Sequence, residues 1–143
     1  MPTIRIVGPG RAGRALAIAL ERAGWTVLPL LGRGDDVSCA AEGADAVVLA
    51  VPDDAIAVLA RRVAPRPSTV LVHLAGSLGP DVLAPHPRRA ALHPLVAMPD
   101  PETGAARLAS GVTFAVAGDP FAREIAEALG GTAVDVPDGA RAV

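Results

Sequence analysis

The stretch "IRIVGPGRAGRALAIAL", Ile4 to Leu20, sets a short apolar run against an amphipathic one and distributes three glycines, Gly8, Gly10 and Gly13, across the junction. Each glycine answers a separate physical demand. Gly8 lets the chain turn sharply, Gly10 lets backbone N–H groups approach a pyrophosphate, and Gly13 lets the following helix pack close to the sheet. The first helical residues, Arg11 and Ala12, place unpaired N–H donors and the positive end of the helix dipole beside such a phosphate. Alone the glycine spacing is weak. Its place, directly after a strand and opening a helix, is the context a dinucleotide site requires. The plain alternative is a tight strand–helix turn that holds no ligand.

Outward from this turn, strand-length apolar runs alternate with helical ones. "TIRIV" reads as a first strand, and Leu16, Ala19, Leu20 and Ala23 recur at helical spacing until Gly24, which suits a helix C′ position. "WTVLPLL" (Trp25–Leu31) is a second strand, bent near Pro29. "ADAVVLAVP" (Ala44–Pro52) is a near-continuous apolar run of the kind parallel sheets bury on both faces. Asp53 or Asp54 then caps a helix that Pro65 and Pro67 end. Further strands are read at Thr69–Leu74, Arg89–His93, Gly111–Gly118 and Gly131–Pro137, with a short helix at Gly79–Ala84 and a longer one at Pro120–Leu129. Pro94–Ser110, rich in proline and polar residues near its middle, reads as a long connection. The alternation predicts an α/β fold: a doubly wound, mostly parallel sheet with helices on both faces.

An NAD site usually carries an acid at the end of the second strand, where it binds the ribose hydroxyls. Here that region reads "LPLLGRGDD", and Gly32-Arg33 stands where the acid would be. A guanidinium fork there matches a 2′-phosphate through charge-assisted hydrogen bonds. The expected cofactor is therefore NADP, with NAD as the alternative if Arg33 is a solvated loop residue and Asp35 or Asp36 takes the ribose. Arg11 and Arg14 add positive field near the phosphates.

Ligands of open α/β sheets lie beyond the carboxyl ends of the strands. Val51 and Pro52 of "VPDD" offer a surface for nicotinamide or ribose, whereas Asp53 is explained by helix capping alone. "HLAGS" places His73 at a strand end, followed by Gly76 and Ser77, which offer backbone and hydroxyl donors to a substrate carbonyl or carboxylate. His93 of "LHP" also ends a strand. Both histidines are candidates for catalysis, His73 to polarise a substrate oxygen or move its proton and His93 to support it. Each is equally explained as a hydrogen-bonded loop anchor. His86, in "APHPRR", reads as structural on a surface turn. No close histidine pair suits a metal site.

Composition narrows the chemistry. All 13 basic residues are Arg, and Tyr, Asn and Gln are absent. A Schiff-base lysine, a phosphate-loop lysine and a Tyr/Lys proton relay are thus excluded within these 143 residues, leaving His, Asp, Glu and the single Cys39 for acid–base work. A net charge of −2, with no basic run beyond an Arg pair, argues against a nucleic-acid surface. No apolar stretch approaches the ~18 residues of a membrane span, and "MPTIRIV" shows no secretory pattern. The expectation is a soluble, cytoplasmic domain of one unit, with no membrane partner.

Taken together, "IVGPGRAGRALAIAL", "ADAVVLAVPDDAI", "VLVHLAGSLGPDVLAP", "AALHPLVAM" and "GVTFAVAGD" resemble a family of oxidoreductase-type proteins in the 6-phosphogluconate-dehydrogenase-like superfamily. The resemblance covers nearly the whole chain. It implies a Rossmann-like domain binding NAD(P) through Gly8, Gly10 and Gly13, with His73–Ser77 and His93–Pro94 bordering the substrate cleft. It also implies a C-terminal helical domain that forms the other cleft wall and commonly a homodimer. Residues 1–143 stop at "VPDGARAV", about where that helical domain is expected to begin. The expected function is an NADP-dependent oxidoreductase acting on a small carbonyl or hydroxy compound. The alternatives are a prephenate-dehydrogenase-like enzyme, which carries a similar "HP" after a similar strand, and a non-catalytic NAD(P)-binding module that regulates or assembles.

Overall fold

Seven short strands form one sheet in the order β2-β1-β3-β4-β5-β6-β7, whose central strands are buried on both faces. The computed structural model describes residues 1–136. In chain order the elements are β1 (Thr3–Val7), α1 (Arg11–Arg22), β2 (Thr26–Val27), β3 (Ala46–Leu49), α2 (Asp53–Arg62) and β4 (Val70–His73). A 3₁₀ segment (Pro80–Leu83) leads to β5 (Arg89–Pro94), α3 (Pro101–Leu108), β6 (Thr113–Gly118), α4 (Phe121–Ala128) and β7 (Thr132–Asp135). Strands β1 to β5 are mutually parallel, β6 runs antiparallel to β5, and β7 runs parallel to β6. The fold is the expected α/β arrangement with a mostly parallel sheet. Among the described residues no helix is long and apolar enough to cross a membrane.

The strand alternation sorts the core into two layers. Ile4, Ile6, Ala46, Val48, Val70 and Val72 face α1, α3 and α4 on one side. Val7, Val47, Leu49 and Leu71 face α2 and the 3₁₀ segment on the other. In α1 the stripe Ala15, Leu16, Ala19 and Leu20 is buried at helical spacing. Gly24, at φ +92°, follows it in the left-handed region that glycine tolerates.

Four local expectations are corrected. The second strand is shorter than Trp25–Leu31: β2 proper is two residues, because the ladder that runs from the Thr26 N–H to Pro2 and from the Leu28 N–H to Ile4 slips one position at the Pro29 bend, so that Leu31 rather than Leu30 donates to Ile6 and bridges Val7. Asp53 and Asp54 do not cap α2. They lie in its first turn, and Pro52 occupies the cap without a side-chain hydrogen bond. The connection Pro94–Ser110 contains α3, capped by the Asp100 carboxylate on the Thr103 N–H at 2.8 Å and begun by Pro101. His86 is buried rather than on a surface turn; its Nε2–H donates to the Ala60 carbonyl at 2.7 Å, tying the 3₁₀ segment to α2. The reading of "VPDGARAV" as the approach to a second domain falls, apart from Val136, outside the described residues.

Candidate functional site

The three glycines behave differently, and the difference locates the site. Gly8 sits at φ +112°, and a Cβ there would lie 2.1 Å from the Ala50 carbonyl oxygen. At Gly13 a Cβ would lie 1.9 Å from the Gly8 carbonyl oxygen, so α1 touches the turn through backbone alone. These two are demanded by packing. Gly10 is not: its backbone is extended (φ −78°, ψ −168°), open to any residue, and a Cβ would meet nothing within 4 Å. What its missing side chain preserves is open space at the N-terminus of a twelve-residue helix.

Two cavities meet at that point. The larger, about 930 Å³, lies between the end of β2 and α2, with Gly8, Gly10, Gly32, Arg33, Val51 and Pro52 among its walls. The smaller, about 450 Å³, lies between α1 and the end of β4, bounded by Gly10, Arg11, Ala12, Asp53, Leu74 and Met98. Gly10, Ala50, Val51 and Pro52 line both. The result is one trough over the carboxyl ends of β1, β3 and β4, divided by the glycine turn and the Val51-Pro52 step. A ligand with two ring systems joined by a compact anionic linker fits this shape, its linker over the α1 N-terminus.

Arg33 stands exposed in the wall of the larger cavity. The two acids after it are occupied by their own loop. Asp35 accepts the Gly32 N–H at 2.6 Å, closing the turn that presents Arg33. Asp36 accepts the Ser38 N–H at 2.9 Å; that bond, then one from the Ser38 hydroxyl, holds its carboxyl below the ordinary aspartate range. Cys39 is exposed, and the neighbouring Glu42 side chain, as its leading influence, pushes its thiol upward, away from the thiolate a nucleophile needs. Arg14 is exposed and lines neither cavity, whereas Arg11 borders the smaller one and reaches the Pro99 carbonyl at 3.5 Å.

The two candidate histidines separate. His73 has no exposed surface. Its Nδ1 accepts the Ala75 N–H at 3.0 Å, so the proton is on Nε2, which donates to the Gly79 carbonyl at 3.0 Å. Both ring nitrogens are thus spent on shaping the 74–79 loop. His93 is half-buried, and its Nδ1–H donates to the Leu74 carbonyl at 3.0 Å, which leaves Nε2 as the basic nitrogen. Its ring rests on Gly76, where a Cβ would come within 2.8 Å of Cδ2 and Nε2. Ser77 donates its hydroxyl to the Asp53 carboxylate at 3.1 Å, stitching the loop after β4 to the start of α2.

Sequence reading did not single out the α2 face (Ala55, Val58, Leu59, Arg62), the Asp53–Ser77 bond or Met98 as parts of this trough. Helical spacing from Ala55 to Arg62 was a usable signal for the first. Met98 carried none, since its place depends on α3 lying against α1.

The sequence matches a family model for a Rossmann-like domain over residues 34–99. No curated protein matches it. Solved structures do. A Bacteroides fragilis protein provisionally assigned as an NADP oxidoreductase superposes over 99% of this chain and 62% of its own, at TM-score 0.82 and 18% identity. A prephenate dehydrogenase from A. aeolicus, in complex with hydroxyphenyl propionate and NAD+, gives 99%, 62%, 0.72 and 15%. A reductive aminase from Aspergillus terreus, in complex with NADPH and ethyl levulinate, gives 98%, 56%, 0.73 and 14%. The chain therefore spans about three fifths of the length of these proteins. At such identities the likeness is one of fold. Sheet order, the glycine turn at the carboxyl end of β1 and these matches together make the chain a Rossmann-like α/β domain.

Proposed function

We propose that this chain is the dinucleotide-binding domain of an NADP-dependent oxidoreductase that transfers hydride to or from a small carbonyl or hydroxy compound. The observation that carries the reading is Gly10: the one turn glycine that the fold does not need keeps open the junction of two cavities. In this reading the backbone of Gly8, Gly10, Arg11, Ala12 and Gly13 holds the pyrophosphate. Arg33 meets the 2′-phosphate, supported by the commitment of Asp35 and Asp36 to backbone N–H groups. Val51 and Pro52 form the step on which the nicotinamide ribose rests.

A bound NADP supplies the hydride chemistry; the chain orients it and manages the proton. We assign that role to His93, whose ring rests on Gly76 of the loop after β4. With Nδ1–H fixed on the Leu74 carbonyl, Nε2 takes the proton of a substrate hydroxyl on oxidation and returns it to the carbonyl oxygen on reduction. Gly76 and Ser77 border the substrate, and His73 is a positioning residue that shapes their loop. The helical second domain and homodimer belong to the same proposal. The sheet face beside His93 continues through Ala115 to Val134, which is 49% exposed, and neither core layer includes these two.

Calorimetric titration with NADPH and NADH tests the reading. NADPH should bind more tightly, and Arg33→Ala should weaken it by about 1.5–3 kcal/mol while leaving NADH nearly unchanged. A folded chain that binds neither, or prefers NADH, would overturn it.

A further inference from the structure

The larger cavity is lined by a second cation besides Arg33, and it comes from helix α2. Helix α2 turns Ala55, Val58, Leu59 and Arg62 toward the cavity, a single stripe at i, i+3, i+4 and i+7. Val58 is 39% exposed, an apolar surface open to the cavity. Arg62, in the last turn of α2, is exposed, and none of the three ion pairs among the described residues (Arg22–Glu102, Arg88–Asp119 and Arg123–Asp135) involves it. Three carboxylates share the cavity. Asp35 and Asp36 are engaged by the Gly32 and Ser38 N–H groups, and Asp54 is eight residues before Arg62, about 12 Å along the helix axis. Asp54 thus sits at the far end of α2 from Arg62, and neither guanidinium is in an ion pair among the described residues.

A phosphate monoester near neutral pH carries close to two negative charges. One guanidinium leaves it half compensated, and guanidinium is the side chain best matched to its oxygens. We infer that Arg62 is a second ligand of the 2′-phosphate, closing from the α2 side a clamp whose other jaw is Arg33, with the adenine against Val58. The inference rests on the NADP reading of the same site and adds to it a residue that sets cofactor preference. A purely local role for Arg62, compensating the carbonyl end of the α2 dipole, is shared by Arg61, which is also exposed in the last turn but does not line the cavity.

The test titrates the full chain with adenosine 2′,5′-bisphosphate and, separately, with 5′-AMP, following amide shifts by NMR. Arg62→Ala should weaken the bisphosphate about tenfold and leave 5′-AMP within about twofold. Arg62→Lys should recover part of the loss, and Arg61→Ala should change neither. Thermal unfolding of each variant confirms that the fold is intact. Equal losses for both probes, or no loss for the bisphosphate, overturn the clamp while the nucleotide site stands. Failure of the unmodified chain to bind either probe overturns the nucleotide reading, and the clamp with it.

Discussion

Gly10 and Gly13 lie three positions apart, and the sequence pattern gives them different tasks, phosphate approach and helix packing. Gly13 is enclosed by backbone on the far side of the turn, while Gly10 faces open space. Substitution should therefore separate folding from binding. Gly13→Ala drives a methyl group into a carbonyl that cannot move without unwinding the β1–α1 turn, and should cost more than ~3 kcal/mol or prevent folding. Gly10→Ala adopts the existing backbone without strain, so urea unfolding should change by less than ~1 kcal/mol while calorimetric affinity for NADPH falls at least ~tenfold. Retention of full affinity by Gly10→Ala would remove the main support for the site. The same contrast holds for the histidines. The sequence reading gave His73 the direct role and His93 the supporting one; in the structure, hydrogen bonds from Ala75 and to Gly79 occupy both ring nitrogens of His73, while His93 bonds the Leu74 carbonyl through Nδ1, and the proposal reverses the two roles on that difference.

Helix α3 shows how a local signal can be present and still be outweighed. Asp100 and Pro101 form a proper cap and first turn, but the helix has only eight residues, follows Pro99, and contains Gly104. Isolated, such a segment would not hold its conformation. It is stabilised by α1: a Cβ on Gly104 would stand 2.8 Å from the Ala15 Cβ and 3.0 Å from Met98, so the helices meet where both lack bulk. Arg22 and Glu102 add an exposed ion pair across the contact, worth little in water. Gly104→Ala gains up to ~1 kcal/mol of helix propensity yet should destabilise the domain by about 1–2 kcal/mol net, read from the urea midpoint. A neutral or stabilising result would show that α1 and α3 separate freely. Because Met98 lines the smaller cavity, the same variant should perturb that side of the trough more than the Arg33 side.

The sheet reverses once, between β5 and β6, and one ion pair spans the reversal. Arg88, just before β5, donates to both oxygens of Asp119, just after β6, at 2.8 and 3.1 Å. Burial raises the Asp119 pKa, its side chain being only 12% exposed, but the Arg88 hydrogen bonds, the Phe121 N–H and the Arg88 charge outweigh that and lower it overall. A carboxyl whose folded pKa is depressed stabilises the fold fully above its unfolded value, near ~3.9, and loses that contribution as pH falls through the folded value. Asp119→Asn should therefore cost about 1–2 kcal/mol at pH 7, Arg88 being partly solvated, and the gap from the unmodified chain should close as unfolding is measured at progressively lower pH in the acid range. A gap independent of pH would assign the loss to packing alone.

Much of this molecule is legible along the chain, because its information is short-range. The glycine turn, the apolar runs that become β1, β3, β4 and β6, the helical stripes of α1 and α4, and the placing of Arg33 after the second strand all follow from periodicity, turn chemistry and charge within a few residues. The mostly parallel direction follows from the alternation too, but the strand order and the one reversal do not. The antiparallel β5–β6 pairing, the stabilisation of α3 by α1, the burial of His86 against Ala60 and the presence of Arg33 and Arg62 in the lining of one cavity join residues far apart in sequence. Such contacts form only when whole faces are buried together, so it was tertiary packing that gave His93 and His73 different hydrogen-bond partners and drew the walls of the two cavities.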